Sequence, residues 1–481
     1  MISLDNPVIL QTFYWEMNSG KYAEKFPEET DLWNLLAERA DSIAEAGFDF
    51  LWFPPANKGA GGIEDVGYGS YDLWDLGEFE QKGNIRTKYG TKDQLENAVK
   101  KLHNNDLKLI YDAVLNHRLG ADEEETVILK DGSQADVWTK FNFAGRGNKY
   151  SSLKLNWTHF DGVDWNERTK RAGEILFQYK EWDDSYEDDY LMGADIDYDN
   201  QEIKAEVIEW GKWIVSEIGF DGFRLDASTH IDNELIYDFI EEVSRGSGKD
   251  LIFIGEAWVN SPKSLVNYLN VVGQQKLYVF DFPLRQSFVE MMKGNLDMRW
   301  YGGRGLVNQN GYKNRAVTFV ENHDTDHEST NKYGIETIVY RKMQAYTYIL
   351  MRRNGIPTIF WKDYYNYGLK EEIDKLIAAR KRFAYGPAYE SETNDQKTYS
   401  YIRSGDQKHP DSGLVMMITQ HENKELIEKT INTGKADTLY YDFTGNIKER
   451  VKTDSKAEGK FKVRGTAAEG YSLWVQVGKS D

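Results

Sequence analysis

Eight short apolar runs, separated by longer stretches with helical spacing, constrain the fold of this chain more than any other feature. The runs are Val8–Thr12, Phe48–Phe53, Leu107–Leu115, Gly219–Asp226, Leu251–Trp258, Lys276–Phe282, Ala316–Asn322 and Ile356–Trp361. Because both faces of each run are apolar, the runs are typical of buried parallel strands. Helical spacing occurs between them at Thr30–Ala46, Asp93–His103, Gln201–Ile218, Asn233–Arg245 and Glu336–Asn354.

This alternation of strands and helices predicts an α/β fold, and eight units favour a closed (β/α)8 TIM barrel. An open doubly wound sheet is the alternative. Such a sheet usually has a Gly-rich phosphate-binding turn after its first strand, and the sequence lacks one.

Two regions depart from the alternation. The connection from His117 to about Asn200 has no strong helical pattern and is too long for an ordinary loop, so we interpret it as a domain inserted after strand three. After about Gly386, further apolar or alternating runs predict a C-terminal antiparallel β domain; these runs are Tyr399–Arg403, Gly413–Thr419, Thr438–Asp442 and Tyr471–Val477. The sequence thus predicts a catalytic barrel (domain A, 1–116 and 201–385), an inserted domain B (117–200) and a β-sandwich domain C (386–481).

Composition narrows the classes of function. The absence of Cys excludes disulfides, zinc–thiolate sites and Cys nucleophiles. The formal net charge of −20 argues against nucleic-acid or membrane partners and suits a neutral substrate or a bound cation, although a soluble surface explains most of this charge. No run of about 18 apolar residues and no leader-like N terminus is present. We therefore expect a cytoplasmic protein, or a secreted one if a leader has been removed, and a monomer.

Carboxylates follow several of the predicted strands, at the barrel end that carries the chemistry in this fold. Asp226, Glu256 and Asp324 end strands four, five and seven. Cleavage of a glycosidic bond needs a proton donor and a carboxylate, and crowding of like charges keeps one carboxyl group protonated. Arg224 leaves its strand on the same face as Asp226 and would keep that carboxylate ionised. A structural ion pair explains one such carboxylate about as well, but explains three at successive strand ends less readily.

The segments around these carboxylates resemble, in order and spacing, the four signature regions of the α-amylases of glycoside hydrolase family 13. The segments are Asp112–His117, Gly222–His230, Gly255–Trp258 and Val320–Asp324. The resemblance is closest to the liquefying bacterial type, which is also similar at Val66–Asp72, Arg86–Gly90, His159–Trp165 and Tyr190–Asp199. It covers about residues 8–385, and the remainder more loosely.

The resemblance implies a retaining endo-α-1,4-glucan hydrolase that acts on starch, glycogen or maltooligosaccharides by double displacement. Asp226 would be the nucleophile, Glu256 the acid and then the base, and Asp324 a stabiliser of the oxocarbenium-like state. The residues expected to bind substrate are Tyr68, His117, Arg224, Trp258 and His323. The alternatives are a glucan transglycosylase or an α-1,6-acting relative on the same barrel, and a non-catalytic glucan-binding protein.

An acidic stretch of the inserted segment suits a hard cation such as Ca²⁺, although acidic residues alone would also fit a solvated loop. The resemblance implies a structural Ca²⁺ bound by Asn116, Asp189, Asp195 and the carbonyl of His230. It also implies a second Ca²⁺ and a Na⁺ near Asp161, Asp183, Asp197 and Asp199.

The sequence departs from the family pattern at two positions. Thr229 stands where many relatives have Lys, so specificity on the leaving-group side cannot be carried over from them. Glu321 stands where many relatives have Asp.

Overall fold

The computed structural model describes residues 4–326, 339–391, 395–466 and 469–478, and it confirms the predicted fold class. Eight parallel strands, numbered here one to eight in chain order, form a closed barrel in which neighbours in sequence are neighbours in space. They are Ile9–Gln11, Phe50–Trp52, Lys108–Ala113, Gly222–Leu225, Ile252–Gly255, Leu277–Phe280, Ala316–Phe319 and Ile356–Phe360. Each lies inside one of the eight apolar runs.

The barrel is closed by strand one, which pairs with strand two on one side and strand eight on the other. Ile9 lies opposite both Phe50 and Thr358. Every residue of the eight strands is buried except Lys108, which is partly buried at the start of strand three. Burial on both faces is the physical reason why the runs lack the polar alternation of a half-exposed sheet.

Helices cover the barrel between its strands. They are Gly20–Lys25, Leu32–Glu45, Lys92–His103, Gln201–Trp213, Asn233–Ser247, Pro262–Val272, Phe282–Met292, Lys342–Met351 and Lys370–Phe383. Three of the five predicted helical segments contain one of these helices, and the other two, Asp93–His103 and Asn233–Arg245, each lie within one. Residues 336–338 of the last segment lie outside the described residues. Shorter helical turns occur at Pro27–Asp31, Gly62–Glu64, Trp157–His159, Ile214–Ile218, Met298–Gly303, Leu306–Asn308, Lys313–Arg315 and Lys362–Asn366.

Local sequence explains where several helices begin and end. Thr91 and Gln94 form a capping box at the start of Lys92–His103, so two backbone N–H groups of the first turn are satisfied. The helix Pro262–Val272 was not predicted, although its ends carry clear signals. The Ser261 side chain accepts a hydrogen bond from the Ser264 N–H, and Gly273 ends the helix in a left-handed conformation.

The inserted segment is built from antiparallel strands, which were not predicted from its sequence. A four-stranded sheet contains Arg171–Leu176, Phe160–Asn166, Ala194–Ile196 and His117–Arg118. A hairpin of this segment pairs Glu123–Ile128 with Gln134–Lys140. Outside it, between strands two and three of the barrel, Lys58–Gly59 pairs with Ser70–Asp72. Residues 117 and 118 therefore link the end of strand three directly to this sheet.

The C-terminal region is also antiparallel. Its six-stranded sheet consists, in spatial order, of Ala388–Glu390, Thr398–Arg403, Leu414–Thr419, Tyr471–Gln476, Leu439–Asp442 and Val451–Lys452. A second pair, Leu426–Asn432 with Glu458–Arg464, was not predicted and packs against it around Trp474. The predicted domain boundaries stay a prediction. No helix within the described residues is long and apolar enough to cross a membrane.

Candidate active site and acidic cluster

Arg224, buried in strand four, is the centre of a carboxylate cluster at the carboxyl end of the barrel. Its Nη1 donates to Asp112 Oδ1 at 2.7 Å and to Asp226 Oδ1 at 2.6 Å. Its Nη2 lies 2.8 Å from Glu256 Oε2, which also accepts a hydrogen bond from the Ala227 N–H at 2.8 Å. Strands three, four and five thus bring three carboxylates to one guanidinium, and Arg224 and Asp226 do lie on one face as predicted. We call Asp112, Arg224, Asp226, Glu256 and Asp324 the strand-end cluster.

Asp324 joins this cluster from the end of strand seven. Its side chain is 29% exposed, against 10% for Asp226 and 10% for Glu256, so it is the most open of the three. Burial and the charge of Glu256 raise the pKa of Asp324 well above its usual range, although Arg224 opposes this. The three predicted carboxylates are therefore close enough to influence one another's protonation.

The electrostatics differ between Asp226 and Glu256. Burial raises the pKa of both groups, and Arg224 lowers both. The pKa of Glu256 is raised further by the charge of Asp226, whereas His230 lowers that of Asp226. Glu256 is consequently the better candidate to carry a proton, and Asp226 the better candidate to stay ionised.

Tyr68 and His323 form a rigid aromatic wall beside the carboxylates. Their ring centroids lie 5.1 Å apart, and the ring of Trp15 is parallel to both, 5.6 Å from Tyr68 and 6.2 Å from His323. The Tyr68 hydroxyl donates to Asp112 Oδ2 at 2.9 Å. Gln11 Nε2 lies 3.0 Å from His323 Nδ1, and the Tyr68 hydroxyl lies 2.7 Å from His323 Nε2.

The other two residues predicted to bind substrate lie differently. His117 Nε2 lies 3.0 Å from the carbonyl of Tyr68, and burial lowers the pKa of His117 to about 4, so its ring is neutral near pH 7. Trp258 is 39% exposed and stacks on Phe282 at 4.6 Å. His117 is thus part of the wall behind the cluster, whereas Trp258 offers an open ring face.

Sequence reasoning gave no role to three residues that complete the site: Gln11, Trp15 and Trp52. Trp52 Nε1 donates to Asp112 Oδ2 at 3.0 Å and thereby holds the carboxylate that anchors Arg224. Gln11 could have been noticed as a polar residue near the end of an otherwise apolar strand. Nothing in the local pattern marks Trp15, because its importance comes from stacking on residues far away in the chain.

Thr229 and Glu321, the two departures from the family pattern, both have hydrogen-bond partners within the protein. The Thr229 hydroxyl, which is buried, donates to Glu187 Oε2 at 2.9 Å and so connects strand four's loop to the inserted segment. Glu321 is fully buried, accepts from Arg285 Nη2 at 2.9 Å and from the Thr325 hydroxyl at 2.5 Å. Its longer side chain is therefore satisfied by local partners.

Acidic residues of the inserted segment converge on a second cluster, in two overlapping groups. One group contains Asp161, Asp189 and Asp195, and the other contains Asp161, Asp183 and Asp197; within each, the carboxylate oxygens lie within 4.8 Å of one another. We call these five residues the acidic cluster. Asp199 is exposed and belongs to neither group.

The acidic cluster has the properties of a site for a hard cation. The oxygens Asn116 Oδ1, Asp161 Oδ2 and Asp195 Oδ2 are buried and have no hydrogen-bond partner within the described residues. Asn116 Nδ2 donates to Asp195 Oδ1 at 3.0 Å, which leaves its own oxygen available. Such oxygens are the ligands that Ca²⁺ prefers, so the predicted residues fit this ion. The ring atom Nδ1 of His230 lies 2.5 Å from the carbonyl of Asp188, and the expected role of the His230 backbone carbonyl stays a prediction.

The charges of the acidic cluster are poorly compensated by the protein. Burial and neighbouring carboxylates raise the pKa of Asp161 to about 8 and that of Asp183 to about 8. Burial also raises the pKa of Asp189 to about 6. Lys180 forms an ion pair with Asp197, but one ammonium group cannot neutralise five carboxylates. A bound divalent cation would let them ionise at neutral pH.

Comparisons with known proteins point to one family of enzymes. The family model described as "Alpha amylase, catalytic domain" matches residues 28–399. An α-amylase of Bacillus licheniformis is 37% identical over 501 residues, covering 98% of this chain and 94% of that protein. A cytoplasmic α-amylase of Escherichia coli strain K12 is 35% identical, covering 98% of this chain and 99% of that protein.

Solved structures agree on the fold. The crystal structure of the α-amylase from Geobacillus thermoleovorans complexed with acarbose has a TM-score of 0.65 at 17% identity, covering 98% of this chain and 99% of that one. A cyclomaltodextrin glucanotransferase with three domains has a TM-score of 0.64 at 19% identity, covering 98% and 100%. Hydrolases and a transferase therefore share this architecture, and the fold alone does not choose between them.

Proposed function

The chain belongs to the α-amylase family of glycoside hydrolases, and from that premise we propose that it is a retaining endo-α-1,4-glucan hydrolase. Its substrates would be starch, glycogen or maltooligosaccharides, cleaved at internal bonds. The observation that carries this proposal is the binding of Asp226 and Glu256 to the two Nη atoms of one arginine. Two carboxyl groups that share one guanidinium are held near each other, as expected for a retaining enzyme, whose two carboxyl groups lie about 5–5.5 Å apart.

In the first step, Asp226 attacks the anomeric carbon while Glu256 gives its proton to the departing glycosidic oxygen. The bond between that carbon and oxygen breaks, and a covalent glycosyl-enzyme forms with inverted configuration. In the second step, the Glu256 carboxylate takes a proton from water, whose oxygen displaces Asp226. Two inversions restore the α configuration in the product. The pKa of Glu256, raised by burial and by Asp226, suits its first role.

Asp324 would bind sugar hydroxyls and stabilise the positive charge that develops at the anomeric carbon. Because it is more open than its two neighbours, it can contact substrate without displacing Arg224. Tyr68 and Trp15 offer a stacked wall for an apolar sugar face. His323 and His117 would contribute hydrogen bonds to hydroxyls, and Trp258 would stack on the leaving-group side.

A structural Ca²⁺ fits the oxygen ligands of Asn116, Asp189 and Asp195, with the carbonyl of His230. This ion would supply the positive charge that the acidic cluster lacks. A second Ca²⁺ and a Na⁺ could be bound by Asp161, Asp183 and Asp197, with Asp199 at the edge. Because Asn116 follows strand three, these contacts would fasten the inserted segment to the barrel and keep His117 in place.

The stereochemical course of the reaction tests this proposal directly. Proton NMR of a maltooligosaccharide digest should show α-anomeric product first, before mutarotation. Digestion of soluble starch should give a rapid fall in iodine staining with a range of short products, as internal cleavage requires. Products longer than the starting oligosaccharide would favour a transglycosylase. Cleavage of pullulan at its α-1,6 bonds would favour an α-1,6-acting enzyme. An initial β-anomer would contradict the mechanism.

A further inference from the structure

A cavity of about 530 Å³ lies at the base of the barrel, at the end opposite the strand-end cluster. Its walls include Asn6, Asn314 and Gly355, which precede strands one, seven and eight. The opposite wall contains Arg403, the last residue of the C-terminal strand Thr398–Arg403. The cavity therefore lies between the amino ends of barrel strands and the C-terminal sheet, and none of the residues assigned above lines it.

Arg380 is a nearly buried cation in this wall, with 1% of its surface exposed. Its Nε donates to the carbonyl of Asn6 at 3.2 Å. Its Nη1 donates to the carbonyls of Leu350 at 2.5 Å and Arg352 at 3.3 Å, at the end of the helix Lys342–Met351. Within the described residues, its Nη2 has no hydrogen bond and the guanidinium has no carboxylate partner.

Arg403 repeats this arrangement with weaker contacts. It is 5% exposed, and its Nε and Nη1 lie 3.4 Å from the carbonyl of Gly386 and 3.5 Å from that of Met351. In the part of the chain that the structure describes, it too forms no ion pair and leaves Nη2 without a partner. Each of the two buried guanidinium groups thus uses Nε and Nη1 for backbone carbonyls and leaves Nη2 for a ligand.

The local charge is positive in a strongly acidic chain. Arg353, which is exposed, adds a third guanidinium to the lining, while the lining's acidic residues, Asp5 and Asp406, are exposed as well. Asp406 contacts His409 at 2.8 Å. Burial and repulsion by Arg403 lower the pKa of Arg380 to about 9, and both side chains are still cationic at pH 7. Helix-end carbonyls offset only part of the cost of burying these charges.

We propose that this cavity binds a phosphate group, either as inorganic phosphate or as part of a sugar phosphate. The Nη2 groups of Arg380 and Arg403 would donate to its oxygens, with Arg353 at the mouth. Hydrogen bonds between a guanidinium and a phosphate are charge-assisted, and they are short and strong for that reason. A cavity of this volume falls within the usual range for small-molecule sites. Because the amino ends of barrel strands serve stability, the ligand should stabilise the fold and leave catalysis unchanged.

The test is titration of the full-length protein with inorganic phosphate, followed by calorimetry and thermal unfolding. Ionic strength and free calcium are held constant, and chloride is the comparison anion. Phosphate should raise Tm in a saturable manner that chloride does not reproduce. Arg403→Gln should weaken phosphate binding by about tenfold or more, the loss expected for a charge-assisted hydrogen bond. Arg353→Gln, which changes an exposed side chain, should weaken it less and fold normally.

Arg245→Gln is the matched control, because Arg245 is exposed on the helix Asn233–Ser247 and its loss changes the net charge equally. This variant should bind phosphate like the unmodified protein, and Arg353→Gln should hydrolyse starch normally. Titration with glucose 6-phosphate, with glucose as its control, shows whether the phosphate group comes from a sugar phosphate or from inorganic phosphate. Tighter binding of glucose 6-phosphate than of inorganic phosphate would indicate a sugar phosphate. Equal affinities would indicate that the phosphate group alone is recognised. Equal responses to phosphate and chloride, or unchanged affinity in both cavity variants, would overturn the proposal.

Discussion

Two groups of buried carboxylates in this molecule differ in where their positive charge comes from. In the strand-end cluster, Arg224 binds Asp112, Asp226 and Glu256 itself, each within 2.8 Å. In the acidic cluster, Lys180 contacts Asp197, and the other carboxylates raise one another's pKa. The fold itself therefore supplies the positive charge of the strand-end cluster, whereas the acidic cluster needs a cation from the solution.

The largest effect should come from removing the proton donor of the strand-end cluster. Glu256→Gln keeps the shape of the side chain but cannot protonate the leaving oxygen, so kcat/KM on starch should fall by about 10²- to 10⁴-fold. The matched control is Glu209→Gln, an exposed residue of the helix Gln201–Trp213, which should retain full activity. Substantial activity in the Glu256 variant, with normal circular dichroism, would remove this residue from the mechanism.

Removing the internal cation should destabilise the fold itself. Arg224→Met leaves three buried carboxylates without their partner, and breaking a buried ion pair in this way costs about 3–5 kcal/mol. Urea unfolding measures the change, with Arg245→Met as the exposed control. An Arg224 variant as stable as the unmodified protein would show that the strand-end cluster does not depend on its own arginine, and the contrast with the acidic cluster would fail.

Removing calcium should act first on the acidic cluster. Saturating Ca²⁺ at a hundred times its Kd would stabilise the fold by about 2.7 kcal/mol, so chelation should lower Tm, and activity should follow. Asp195→Asn, which changes a buried ligand, should abolish this calcium dependence. Asp199→Asn, which changes an exposed residue outside both groups, should largely retain it. An unchanged Tm after exhaustive chelation would contradict the assignment of this cluster.

The calcium-free protein should also respond to pH in a definite direction. The pKa of Asp161 and of Asp183 in the folded chain is about 8, above the usual value of 3.8, so the native state holds these protons more tightly than the unfolded state. The stability that these two carboxyl groups contribute without calcium should therefore be fully present below about pH 4 and be lost as pH rises towards 8. Calcium should flatten this profile. Chemical unfolding at several pH values, with and without chelator, measures both curves.

The smallest expected effect concerns Thr229, whose hydroxyl contacts Glu187 between the two clusters. Thr229→Lys would add a cation there, and an added charge contact of this kind contributes roughly 0.2–1 kcal/mol. KM for maltooligosaccharides should change by about fivefold at most, with little change in Tm. Kinetics on chains of increasing length would show whether the change is confined to the leaving-group side. A large loss of stability would mean that the Thr229–Glu187 contact matters more than its geometry suggests.

Much of the barrel could be predicted from the sequence because burial on both faces leaves a compositional signal. Every predicted barrel strand contains an observed one. The spacing of Leu32–Glu45 or Lys92–His103 is visible because one face of each helix is exposed. The helix Phe282–Met292 was missed for the opposite reason. Eight of its eleven residues are buried, so it has no polar face to set its period.

Contacts within the site could be predicted only between residues that are also close together in the sequence. Arg224 and Asp226 are two residues apart on a strand, so their pairing could be inferred from spacing alone. Gln11, Trp15 and Trp52 act through tertiary contacts with His323, Tyr68 and Asp112, which no local pattern encodes. The same holds for Lys180, whose contact with Asp197 depends on how the inserted segment folds back on itself.

The closure of the barrel by strand one has a consequence for how the protein is made. Ile9 pairs with Thr358, so about 350 residues must leave the ribosome before the last seam of the barrel can form. At roughly 5–20 residues per second, strand one waits about 20–70 s with one edge unpaired. Unpaired edges of this kind invite association between nascent chains. The very contact that completes the finished barrel therefore makes the growing chain dependent on protection during its synthesis.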